Sequence, residues 1–207
     1  MKKIIAMLLA VMLVASMAAC GNNAAEATVA TTEATTPATE STAADNTAED
    51  VVPASALEVL ETVWNSYADD DKFAVFGGNQ NENAVMDAPG AFDVADTEGL
   101  TYLLLVPEDQ IANIDGAASM VHLMNGNNFT CGVFHVTGDV QAFAAAMKAA
   151  INGNRWMCGM PEQMFITVIG GEYVLVSYGV GDAMNPFQAK VAAAYPGAKQ
   201  FCAEALA

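Results

Sequence analysis

Basic side chains are scarce in this chain. Seven Lys and Arg stand against twenty-four Asp and Glu, giving a formal net charge of −17 over 207 residues. So acidic a surface repels polyanions, which excludes nucleic-acid binding and direct electrostatic attachment to anionic lipid head groups. Histidine is scarcer still. His122 and His135 have no Cys-x-x-Cys or His-Glu-x-x-His spacing around them, so both read as partly buried strand residues and neither a metal nor another cofactor is expected. No Gly-x-Ser-x-Gly elbow and no Ser-x-x-Lys element occurs, and Gly77-Gly78 and Gly170-Gly171 lack the neighbours of a phosphate loop. Asp69-Asp70-Asp71, followed by Asn79, Asn81, Glu82 and Asn83, lacks the alternating oxygen ligands of a calcium loop and reads as a solvated helix end. No catalytic residue is nominated.

What is present starts with Lys2 and Lys3, followed by an apolar run from Ile4 to Val14 that is too short for a stable membrane span. Residues 1–19 therefore read as an export signal. The stretch Ser16-Met17-Ala18-Ala19-Cys20-Gly21 resembles the lipobox of bacterial lipoproteins, departing from it at Met17, where Leu, Val or Ile is usual. The resemblance implies a lipid on Cys20 and a chain held through it at the outer face of the cytoplasmic membrane. Residues 20–52 are rich in Ala, Thr and Glu, with six acids between Glu26 and Asp50 and no basic or aromatic side chain. A segment of that composition buries too little apolar surface to offset its ordering entropy, so a disordered linker is expected. Removing Lys2 and Lys3 with the signal leaves five basic residues against twenty-four acids, a net −19.

Residues 53–207 suit one domain with its own core. Ser55 and Glu58 make a capping box ahead of Leu57, Leu60, Trp64 and Tyr67, which predicts a helix ending near Asp69. From Phe73 to Gly99, turn residues predict at most one short strand. The apolar run Thr101 to Val106 predicts a buried strand, with a short helix over Pro107 to Ile114. Ala118 to Met124 and Phe129 to Val136 predict a hairpin whose Asn125-Gly126 step supplies positive φ angles. Asp139 to Ile151 has helical spacing, with Gly153 placed as a left-handed stop. Met164 to Ile169 and Tyr173 to Tyr178 predict a second hairpin through Gly170-Gly171. Asn185-Pro186 predicts the start of a last helix through Tyr195, and a short helical tail runs to Leu206. The order predicts an α+β fold, a mainly antiparallel sheet with flanking helices.

Beyond Cys20 an odd three cysteines remain: Cys131, Cys158 and Cys202. Export favours oxidation, and Cys131 and Cys158 are the pair nominated for a disulfide. The loop Asn152 to Pro161 holds the chain's one arginine. Arg155 and Trp156 there are interface-anchoring residue types; alternatively Trp156 packs inward while Arg155 pairs with an acid.

The front of the chain is similar to small lipoproteins of anaerobic Gram-positive bacteria. The segment Phe129–Gly179 is similar to domains of unknown function found in them, through Gly132-Val133-Phe134, Asn154-Arg155-Trp156 and Tyr173-Val174-Leu175-Val176. Those families imply no activity. The expectation is a membrane-anchored extracytoplasmic binding or interaction module, with a protein or cell-envelope partner. The alternative is a cell-envelope hydrolase or transferase whose residues are too scattered to form a motif.

Overall fold

The structure, a computed structural model, describes residues 51–82 and 84–206. The export signal, Cys20 and the linker up to residue 50 lie outside the described residues. Those described belong to one compact unit with an α+β fold, as the sequence predicts.

An antiparallel sheet of eight strands carries the fold. They are β1 (Val75–Gly77), β2 (Val85–Met86), β3 (Gly90–Phe92), β4 (Ile114–His122), β5 (Phe129–Val136), β6 (Gln163–Ile169), β7 (Tyr173–Gly179) and β8 (Lys199–Ala205). Their order is β2-β1-β4-β5-β7-β6-β8, with β3 paired to β4 as well. β1 and β3 lie in series along one edge of β4: Gly77 pairs with Met120 and Gly90 with Ser119. Where the two meet, a Cβ on Gly77 would stand 2.0 Å from the Gly90 nitrogen, so the junction requires glycine.

Side-chain alternation sends each strand's residues to two opposite faces. Phe129, Cys131 and Val133 of β5 join one core with helices α1 (Ala56–Asn65) and α4 (Gly181–Ala194). Phe134 and Val136 join the other with α2 (Thr97–Leu103) and α3 (Val140–Gly153). Both cores are closed by helices of the same unit, so residues 51–206 can fold without the segment before them.

α1 begins as expected. Ser55 Oγ accepts from the Glu58 N–H at 3.1 Å, and Glu58 reaches back to the Ala54 N–H at 2.7 Å. The second hairpin also forms, with Gly170 and Gly171 at φ 59° and 82°. Elsewhere the structure corrects the reading. Residues 73–99 hold three short strands rather than one. Thr101 to Leu103 is helical: Asp96 caps α2 through the Gly99 N–H, and Leu100 and Leu104, one turn apart, face the core while Tyr102 is exposed. The first hairpin turns through a 3-10 segment at Gly126–Asn128, and Asn125 is extended rather than left-handed. α3 runs through Gly153 and is capped by Asn154 at φ −70°. α4 starts at Gly181 and carries Pro186 inside it. The tail is the edge strand β8, since Lys199 to Glu204 complete backbone bonds with β6.

The sheet has two distinct ends. The chain enters at Val52-Pro53, packed against the β6–β7 turn, where a Cβ on Gly170 would meet the Val52 Cα at 3.2 Å. The β4–β5 connection lies at the other end of the seven-residue β7, about 20 Å away at the antiparallel rise. Among the described residues no helix is long and apolar enough to cross a membrane.

Candidate functional site

Exposed apolar side chains are unevenly distributed. Of nine large ones among the described residues, Val85, Met86, Leu123, Met124, Met157 and Met160 belong to segments gathered at the end of the sheet away from Val52. Met124 is 83% and Met157 77% exposed. Apolar patches on a monomer mark contact surfaces when they are contiguous rather than scattered, and Met is over-used at such surfaces because its thioether chain adapts.

The backbone beneath this surface is fixed. Asn127 Nδ2 donates to the Met157 and Gly159 carbonyls, both at 2.6 Å, and Asn125 Nδ2 donates to the Cys158 carbonyl at 2.9 Å. These amides hold Cys158 at φ 63°, a left-handed conformation that is uncommon for a residue with a Cβ. On the hairpin side His122 Nδ1 accepts from the Met124 N–H at 3.2 Å, while its ring stacks on Phe73 at 5.9 Å. The composition is selective too. Gly116 to Gly138 and Val140 to Pro161 contain no acid, in a chain with twenty-four.

Trp156 packs inward, its ring 5.0 Å from that of Tyr178, and contributes to the α3-side core. Arg155 is exposed and forms no ion pair among the described residues. Of the two sequence readings, the inward one describes Trp156, while the acid expected beside Arg155 is not paired with it among the described residues. Met124 and Met157 were missed, since a lone Met in a loop carries no periodic signal.

The nominated disulfide is corrected. Cys131, Cys158 and Cys202 are free thiols. Cys131 is fully buried on the α1/α4 face, whereas the loop bearing Cys158 is seated through Trp156 on the α3 face. A strand's alternation puts the sheet between them. Burial pushes the Cys131 thiol well up, and partial burial also raises Cys202, so neither is an activated nucleophile.

A second cluster, not foreseen from the sequence, lies at the chain-entrance end. His135 Nδ1 bonds Asp115 Oδ1 across β4 and β5, and its Nε2 lies 3.4 Å from Glu172 Oε2 beyond the β6–β7 turn. A groove of about 440 Å³ adjoins it, lined by Ser55, Leu57, Ala91, Asp115, His135 and Tyr173. The separation of 20 and 37 residues within the cluster leaves no local pattern, which is why it was missed. The arrangement ties β4, β5 and the β6–β7 turn together through one imidazole. Both carboxylates are more than half exposed, at 58% and 63% of the side chain. Among the described residues no His, Cys, Asp and Glu group has the make-up of a metal site.

The Asp115 hydrogen bond raises the His135 pKa, partial burial opposes it, and Glu172 raises it further. A raised folded pKa means stability that is full below the unfolded value and lost as pH rises through the folded one. His135→Asn should thus cost about 0.5–1 kcal/mol at pH 5.5 and markedly less at pH 8.5 in urea titrations. An equal cost at both pH values would show that the clamp does not depend on charge.

Comparison with protein-family models, with curated proteins and with solved structures found no match.

Proposed function

We propose that the protein is a lipid-anchored extracytoplasmic interaction module, attached through Cys20 and contacting a protein partner with the Met-bearing end of its sheet. The observation that carries this reading is the grouping of Val85, Met86, Leu123, Met124, Met157 and Met160 at the end opposite the chain entrance. The Ala/Thr/Glu-rich residues 20–52 then act as a spacer that gives the Met-bearing end reach toward a partner. An apolar centre ringed by polar groups is the anatomy of a protein interface, and the Asn125 and Asn127 clamps fix its loop before any partner arrives.

The test is photocrosslinking in the producing cells, with a photoreactive residue at Met157 or, as control, at the exposed Tyr102. The reading predicts one discrete adduct from position 157 and none from 102, together with palmitate labelling that Cys20→Ala removes. Adducts of equal pattern from both positions would sink the contact surface. Labelling that survives Cys20→Ala would sink the anchor.

A further inference from the structure

A cleft lies on the α4 face at the opposite edge of the sheet from Met86. α4 packs over β6 and β7, and β8 extends the sheet beyond its flank. The small side chains of Ala189, Ala192 and Ala198 leave a space of about 420 Å³ there, within the roughly 300–1,000 Å³ of small-molecule sites. Two elements furnish its polar groups. Asn185, Gln188, Ala189 and Ala192 recur at the spacing of one helix face, and Thr167 of β6 stands opposite Gln200 of β8 in the sheet. No charged residue lines the cleft, in a chain whose formal net charge is −17. Thr167 is only 1% exposed, yet its hydroxyl forms no hydrogen bond among the described residues and is not sealed from solvent, so its partner has to come from the cleft. The side-chain amides of Gln188 and Gln200 also bond no other described residue. Asn185 Oδ1 accepts from Gln163 Nε2 at 2.9 Å, which leaves its Nδ2 to donate.

We infer that this cleft binds a neutral sugar unit of an oligosaccharide. A sugar hydroxyl both donates and accepts, as a side-chain amide does, so Asn185, Gln188 and Gln200 match a ring that carries several hydroxyls, and Thr167 takes one more. Val191 and Pro196 add apolar lining for the C–H face of the ring. The same lining disfavours other ligand classes. A charged ligand would shed its hydration and meet no counter-charge, and a wholly apolar one would leave the Thr167 hydroxyl and three amides unpaired. The cleft is separate from the Met-bearing surface, so the sugar site stands or falls without the interaction-module reading.

The probes are maltotetraose and chitotetraose, a neutral hexose and a neutral N-acetylhexosamine chain, titrated into isotope-labelled residues 51–206. Binding is followed by NMR at the side-chain amide signals of Asn185, Gln188 and Gln200. Tetragalacturonate, glycerol and a blocked tetraalanine serve as controls. The inference predicts saturable shifts of these signals by at least one neutral tetrasaccharide at about millimolar concentration or below, with every control weaker by about tenfold or more. Thr167→Val, which keeps the shape and removes the hydroxyl, should weaken binding about tenfold at an unchanged or higher thermal midpoint, because no group in the protein loses a partner. Ala192→Trp, at an exposed position in the cleft wall, should fill the space and abolish the shifts in a protein that melts as the parent does. The absence of a saturable shift with either sugar up to about 10 mM would overturn the inference. Equal shifts with tetragalacturonate or glycerol would reduce the cleft to a wet polar surface, and equal shifts with tetraalanine would make it a peptide site; either result overturns the sugar assignment. Sugar shifts that survive Ala192→Trp would also overturn it, by placing the binding elsewhere.

Discussion

Phe129→Ala should lower stability by about 4 kcal/mol, the cost of truncating a large aromatic in a closed core. For a unit of this size, that shift corresponds to a thermal midpoint roughly 12 °C lower. Phe129 is fully buried, with ring contacts to Phe73 at 5.1 Å and to Phe187 of α4 at 5.0 Å. Its removal opens a cavity between sheet and helix, and it also takes away the support of Phe73, on which His122 stacks. The change should therefore loosen the hairpin tip at Met124 beyond its effect on global stability. Amide exchange at Met124 and Asn125, whose N–H groups bond His122 Nδ1, reports that directly. Phe129→Leu, which refills most of the volume, should recover more than half the loss. A loss under about 1 kcal/mol for the alanine variant would mean that the α1/α4 core is not closed around this ring.

Gly77→Ala should cost about 3 kcal/mol, a midpoint drop of roughly 9 °C, although it adds one methyl group. The added Cβ would lie 2.0 Å from the Gly90 nitrogen and 2.3 Å from the Pro89 carbonyl carbon. Backbone must move, since no side chain is there to rotate away. The displaced element is the β1–β3 junction, which also carries β2 and with it Met86. Gly153→Ala is the matched control: it stands at the end of α3 with nothing within 4 Å of its Cβ position, and should be neutral or slightly stabilising. Thermal melts of the two variants side by side separate a packing constraint from general intolerance of glycine loss. Equal melting of both would remove the close approach from the account of this edge.

The contrast between these glycines shows where sequence reading succeeds and stops. The Ser55 cap, the α3 periodicity and the Gly170-Gly171 turn were legible because each is set by groups within a few residues of one another. Thr101 to Val106 was misread because a short apolar run has no period. The side that wins is decided by Asp96, which supplies a cap upstream, and by a core waiting for Leu100 and Leu104. β8 was read as helix because Lys199 to Ala205 acquires its strand character from the open edge of β6. The Cys131–Cys158 pairing failed for a related reason: both positions were placed on plausible elements, but the face each occupies is decided by strand parity and by where Trp156 lands. Arg155 was visible as the single arginine. The Met surface around it exists only when residues 85–86, 123–124 and 157–160 are brought to one end of the sheet, and no one-dimensional pattern carries that.

The placement of the chain entrance at Val52-Pro53 and of the contact surface at the opposite end has a mechanical consequence. A load applied between Val52 and the β4–β5 connection would run lengthwise along β4, β5 and β7. Antiparallel backbone hydrogen bonds lie across that direction, so they would be sheared together rather than opened one after another. A pull along the strands would therefore meet more resistance than one directed across them.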